Sequence, residues 1–469
     1  MPDFFSAFSA PASGTAGGLT IAQKASAVPR PGVLGMQHTS GGTLVNFAAD
    51  TDAGFTLAEL ECGWDSAENG GQGDFSTGYL SGQAAIAAEL NAAGYQVAVS
   101  AGIFNPPTWI NTLPNWQYLD QDGNGSGTPN FAFNPEVRSA AASYISQLTS
   151  AMSSAGVEVD YYRVGISPSG ETYLPATVPP TYPDSLPIST GTGSWWAFDA
   201  LAQSAGGSGL PSGVGACPMI GWVPGNSSYT GGSVNSAMAA SWWNWYQGAV
   251  TNAHQWEIAA HQAGGWNGCI MLVTPGRGLS PTVLDSRLAN LLGPSTLGGT
   301  STDFTANIAA YWPSMLSTVA TPANTVLDIS SVYNSDGGSV PSGFGGNTGD
   351  QTGVNNCTGP GDAALPLTSS SVPCADPYYS HWSGVRWLAY LAKQNGLLTL
   401  GESVGDQNNA HTYGLASQVA GAMNQAQQCG LYALMWAHDQ SMAAGGPNAT
   451  PAEVVAAFNA AWPVNGPTA

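Results

Sequence analysis

Short apolar segments recur eight times along the chain, and helix-length stretches separate most of them. The strand candidates are 33–36, 57–61, 96–100, 161–166, 269–273, 326–330, 397–401 and 431–436. Helical patterns are expected over 80–93, 135–154, 196–204, 236–263, 303–319, 381–394, 412–428 and 451–461. Parallel strands need a long crossover between them, and a helix is the usual one, so this alternation reads as repeated βα units. Eight such units close most simply into a single α/β (β/α)8 TIM barrel. The expected organisation is a Ser/Ala/Gly-rich leader or linker over 1–30 and one catalytic barrel over 31–469. An open doubly wound sheet is the other solution. It normally opens with a Gly-rich phosphate turn, and Gly35-Met-Gln-His-Thr-Ser-Gly-Gly42 matches one poorly. A ninth apolar segment, 218–222, lies among Gly and Pro and reads as part of an inserted loop.

Two connections are long, 167–235 and 331–380. Each follows a strand candidate, so a barrel places both on its C-terminal face, where barrel active sites are built.

Composition narrows the chemistry. Eight Lys and Arg oppose 29 Asp and Glu, for a net charge of −21. That field repels phosphate backbones and argues against a nucleic-acid partner. No apolar run approaches the ~18 residues of a membrane-spanning helix, so no membrane partner is expected. Charged residues are only 8% of the chain, while Gly (61) and Trp (16) are abundant. Uncharged polar groups with many indoles suit a neutral carbohydrate, whose C–H faces stack on rings and whose hydroxyls need amide and hydroxyl partners. Six scattered His and no Cys-x-x-Cys pair give no metal site, and no cofactor is expected. Asp120-Gln-Asp122-Gly-Asn124 has the opening spacing of a calcium loop but no closing Glu, and reads as a simple Asp/Gly turn. Cys357 and Cys374 bracket a Gly/Pro/Ser-rich stretch and are expected to pair, while Cys269 and Cys429 fall just before or within apolar runs and read as buried thiols. That usage points to an oxidising, extracellular setting, secreted or virion-associated, although the N-terminus shows no secretory pattern.

Ten glutamates occur, and Glu89, Glu136, Glu257 and Glu453 lie within or beside helical patterns. Glu171 instead follows the fourth strand candidate and Glu402 ends the seventh. With eight basic residues in the chain, ion-pair partners for them are scarce. Two carboxyls facing each other across a barrel mouth are what glycosidic cleavage needs: one protonated to give its proton to the leaving oxygen, one ionised to attack or to activate water. Proximity drives two such pKa values apart and so assigns the roles.

A Glu after strand four and a Glu ending strand seven resembles the large retaining clan of (β/α)8 glycoside hydrolases. Asn105-Pro-Pro-Thr-Trp109, with Trp116 and Asp120-Gln-Asp122-Gly after it, is similar to the Pro-Pro-x-Trp region of family 42 β-galactosidases. The resemblance runs loosely from about 32 to 440. It implies Glu171 as general acid/base, Glu402 as nucleophile and Trp436 as the floor of a sugar subsite. Asn105, Trp109 and Trp64 become candidate substrate contacts, Tyr333 and Asn334 candidates to orient the nucleophile, and His38, Arg277 and His438 candidates to bind hydroxyls. That clan usually has Asn directly before the acid/base Glu, whereas Gly170 stands here. Ser167-Pro-Ser-Gly-Glu171-Thr-Tyr and Gly401-Glu402-Ser403 are similar instead to β-amylase segments, which leaves an inverting outcome open. A non-catalytic carbohydrate-binding surface or virion protein would share the composition but has no need of two such glutamates. A Ser-His-Asp esterase would show Gly-x-Ser-x-Gly, and Gly165-Ile-Ser-Pro-Ser breaks its last position. The sugar, exo or endo action and the oligomeric state are left open by the sequence.

Overall fold

The computed structural model describes residues 33–36, 54–167, 195–266, 268–274, 325–332, 395–403, 416–436 and 449–461, with a few isolated positions between them. Eight strands form a closed barrel: β1 (Val33–Met36), β2 (Leu57–Glu61), β3 (Gln96–Ser100), β4 (Tyr161–Val164), β5 (Cys269–Thr274), β6 (Thr325–Val332), β7 (Thr399–Ser403) and β8 (Ala433–Trp436). Every strand pairs in parallel with its neighbours in the chain. Closure comes from β1 against β8, with Val33 opposite Ala433 and Met36 opposite Trp436.

The long helices are α1 (Thr77–Ala92), α2 (Pro135–Ser154), α3 (Ser236–Ala263), α4 (Ala416–Gln428) and α5 (Pro451–Ala461). Their starts are written locally. Asn134 caps α2 by accepting from Glu136 N at 2.9 Å, with Pro135 at the first helical position. Asn235 caps α3 through Met238 N at 3.0 Å. Thr450 and Glu453 form a reciprocal box at the start of α5, Thr450 N donating to Glu453 Oε2 at 2.9 Å. The helices sheathe the barrel, α1 packing on α2 and α2 on α3.

Strand alternation sends side chains to two cores. Val97, Val99, Tyr162, Val164, Leu272 and Ile329 join the large cluster between barrel and helices. Leu57, Ala98, Tyr161, Cys269, Met271, Val326, Leu400 and Met435 plug the barrel interior.

Two local features depart from the sequence reading. Residues 196–204 are turns, not a helix, because the Asp199 carboxylate accepts from Leu201 N and Ala202 N, both at 3.0 Å, and folds the segment around itself. Trp195 and Trp196 are buried, and Trp195 packs edge-on against Trp242 of α3, so this stretch is anchored by its indoles. Residues 117–119 and 125–129 form an antiparallel hairpin that the sequence pattern did not suggest. The acidic turn joins its strands: Asp120 Oδ1 accepts from Asp122 N at 3.0 Å and Asn124 N at 2.8 Å. That carboxylate is occupied in holding a turn, as the missing twelfth-position Glu implied. Among the described residues no helix is long and apolar enough to cross a membrane.

Candidate active site

The interior of the barrel changes character with height. Two residues beyond Leu57, Tyr161, Val326 and Leu400 of the apolar plug stand Glu59, Arg163, Asp328 and Glu402, which face the same way by strand periodicity. A charged layer therefore caps the plug towards the C-terminal end of the strands. Glu59 and Asp328 are 0% exposed, Glu402 3% and Arg163 5%.

Arg163 organises this layer. Its Nη1 lies 2.5 Å from Glu59 Oε1 and its Nη2 lies 3.0 Å from Glu402 Oε1. Burial works to lower the guanidinium pKa, but Glu402, Glu59 and Asp328 outweigh it and hold the group above its ordinary range. Asp328 is driven well above the usual carboxylate range, first by burial and then by the neighbouring charge of Glu402.

Glu171 arrives from a different direction. The segment after β4 folds back on itself: Gly170 N donates to Ser167 O at 2.8 Å and Ser167 N to Glu171 O at 3.0 Å. Glu171 N donates to Ser167 Oγ at 3.0 Å, and Thr172 N reaches the end of β5 at Val273 O, 2.8 Å away. The Glu171 side chain then crosses to β6, where the Ser330 hydroxyl donates to its Oε1. Ser330 lies two residues beyond Asp328 on the same face of β6. One strand thus carries the hydroxyl that holds Glu171 and a buried carboxyl, Asp328, that feels the charge of Glu402.

Gly170 has a physical reason to replace the Asn usual in the resembling clan. Its φ is +68°, and a Cβ would lie 2.8 Å from the ring of Phe104. That contact also ties the segment after β3 to the one carrying Glu171. In the same β3 segment Asn105 Nδ2 donates to Glu61 Oε1 at 3.1 Å, which places Asn105 at the inner rim above Glu59.

The other expected site residues distribute unevenly. Trp64 stands in the core, 0% exposed, stacked on Tyr144 at 6.2 Å, its Nε1 donating to Glu68 Oε2 at 2.7 Å. No face of it is left for a sugar. Trp109 is half-buried, edge-on to Trp64, and its Nε1 donates to Glu68 O at 3.0 Å. Trp436 is 2% exposed and belongs to the large cluster rather than the inner one. His38, Arg277, Tyr333, Asn334 and His438 lie outside the described residues, as do Cys357 and Cys374. Cys269 is buried, as expected, whereas Cys429 is disulfide-bonded rather than a thiol. No group of His, Cys, Asp and Glu able to hold a metal ion occurs among the described residues.

Sequence reasoning passed over Glu59, Glu61, Arg163, Asp328 and Ser330. The signal was present: in Leu57-Ala-Glu-Leu-Glu61, Tyr161-Tyr-Arg163 and Val326-Leu-Asp328, ionisable residues occupy one phase of otherwise apolar strands.

No family model matches the sequence, and no curated protein matches it. Structure comparison does find relatives. The catalytic domain of a β-amylase from Paenibacillus polymyxa superposes with a TM-score of 0.59 at 15% identity, covering 93% of this chain and all of that one. A broad-specificity endoglucanase from Clostridum cellulovorans matches with a TM-score of 0.38 at 10% identity, covering 92% of this chain and 94% of that one. The first of these establishes the shared barrel fold.

Proposed function

We propose that the protein hydrolyses O-glycosidic bonds of a neutral oligo- or polysaccharide with Glu171 as proton donor and Glu402 as the second carboxylate. One observation supports this reading: both glutamates act on β6, Glu171 through the hydrogen bond it accepts from Ser330 and Glu402 through its electrostatic effect on buried Asp328. Two carboxyls of unlike surroundings near one strand end are what cleaving an acetal requires. Glu171 is half-buried and accepts a hydroxyl hydrogen bond, while Glu402 faces the Arg163 cation. In the retaining version Glu402 attacks the anomeric carbon as Glu171 protonates the leaving oxygen. Glu171 then deprotonates the water that releases the sugar. Asn105 and Trp109 are candidate contacts for that sugar, and His38, Arg277, Tyr333, Asn334 and His438 complete the proposed set, whereas Trp436, packed outward among the core residues, is withdrawn from it.

A second reading, inversion with Glu402 activating water, is favoured by the β-amylase barrel that matches over 93% of the chain. A starch-type glucan is then the substrate. An extracellular location, secreted or virion-associated, fits the acidic, lysine-poor composition under either reading.

A screen on chromogenic glycosides and polysaccharides, with the first-formed anomer followed by NMR, tests both. Hydrolysis is expected, and the anomer assigns Glu402 as nucleophile or as base. Purified, folded protein that cleaves none of them would sink the hydrolase reading.

A further inference from the structure

Glu257 is a carboxyl that the proposed mechanism leaves unused. It projects from the middle of α3, is 1% exposed, and its Oε2 accepts from the backbone N–H of Gly165 at 3.1 Å. Gly165 is the residue immediately after β4, the root of the segment that ends at Glu171. That root has no slack. A Cβ on Gly165 would lie 1.9 Å from Gly170 O and 2.7 Å from Glu171 N, so the two ends of the fold-back are in backbone contact. The carbonyl of Glu171 is held by Ser167 N and its amide by Ser167 Oγ. One side chain on the helix layer therefore fixes the amide from which the whole fold-back is hung. The amide belongs to a buried residue and has to be satisfied. A helix side chain that supplies the acceptor ties the height of the segment to α3.

We infer that Glu257 is a positioning residue for Glu171, setting the height at which its carboxyl meets the leaving oxygen. The inference rests on the reading of Glu171 as proton donor. Flanking groups leave the contact undisturbed: His254 and His261, one turn before and after on α3, are both 0% exposed and held neutral by burial, their pKa values lowered to about 3. Burial likewise pushes Glu257 up to about 8, with the Gly165 hydrogen bond opposing it. A neutral carboxyl acting as acceptor is what Gln reproduces and Met does not.

The test exploits the chemistry of the leaving group. A 2,4-dinitrophenyl glycoside departs without protonation, whereas a phenyl glycoside of the same sugar needs the acid. E257M is expected to lose about 100-fold in kcat/KM on the phenyl glycoside, the order expected for a misplaced acid, while its kcat/KM on the dinitrophenyl glycoside stays within a few fold of the parent. E257Q is expected to keep the parent's ratio of the two rates. Equal losses on both substrates in E257M, or a collapsed ratio in E257Q, would overturn the inference. Should E257M fail to fold, the E257Q ratio decides alone. Parent protein that cleaves neither glycoside, nor any in the wider screen, would instead remove the hydrolase reading on which the inference stands.

Discussion

Arg163 of β4 and Glu402 of β7 lie 239 positions apart in the chain and meet at 3.0 Å inside the barrel. The pair is nearly dry, and Glu59 completes it from the opposite side. Taking one partner from a buried pair leaves an uncompensated charge, which costs far more than the pair contributes when intact. Arg163→Met strands two carboxylates and is expected to lower unfolding free energy by about 3–5 kcal/mol. Arg163→Lys is expected to fall between, since an ammonium cannot reproduce the fork that reaches both partners. Urea denaturation of the three proteins checks the order.

Ser330 is the hydroxyl that fixes Glu171 from across β5. Hydrogen bonds to charged groups are worth about 1.5–3 kcal/mol, which corresponds to roughly 10- to 100-fold in rate if the bond is needed in the transition state. Ser330→Ala is expected to lower kcat on a poor leaving group by that factor. Steady-state kinetics on the phenyl glycoside measures it, and unchanged kcat would detach Ser330 from the site.

Gly165→Ala forces the Gly170 carbonyl to move, because a methyl cannot occupy a position 1.9 Å from that oxygen. A displacement of about 1 Å at a reacting group costs about 100-fold. The expected result is a folded or partly destabilised barrel with kcat/KM lowered by about that amount, read from kinetics beside a thermal melt.

Trp64 tests core against contact. Its ring is enclosed by Tyr144 and Trp109, so Trp64→Ala is expected to cost about 3–5 kcal/mol of stability. KM should change little in the protein that remains folded. A large rise in KM with unchanged stability would restore Trp64 to the substrate.

His254 and His261 make stability depend on pH. Their folded pKa values of about 3 lie below the ~6.5 of an unfolded chain. Between those values the unfolded state binds protons that the folded state refuses, so stability falls as pH drops from ~6.5 towards 3. A His254→Leu/His261→Leu protein is expected to show a flatter acid limb in melting temperature against pH. An unchanged slope would mean that the imidazoles are not the cause.

Much of the fold was legible because barrel strands write themselves in short apolar runs with local boundaries. Val33–Met36, Leu57–Glu61, Gln96–Ser100 and the helices Pro135–Ser154 and Ser236–Ala263 fall where periodicity and Asn caps put them. The segment 196–204 misled because its indoles mimic a helical face, while Asp199 turns the backbone from within. The hairpin at 117–129 was hidden since Gly125-Ser-Gly-Thr-Pro has no strand propensity and is held by its turn. At the site, Glu171 and Glu402 were visible from their places at strand ends. The charged layer beneath was not, because Glu59, Arg163 and Asp328 gain their meaning only when closure brings β2, β4 and β6 around one axis. Glu257 was dismissed as a helix residue because nothing local shows which backbone amide its helix will cover.

The central claim is that Glu171 and Glu402 act together on one bond, and turnover of a cleaved glycoside by Glu171→Gln and Glu402→Gln tests it most directly. Each variant is expected to melt near the parent temperature, to bind substrate, and to lose about 10²–10⁴-fold in kcat. A correctly folded variant of either residue that turns over at the parent rate would contradict the account.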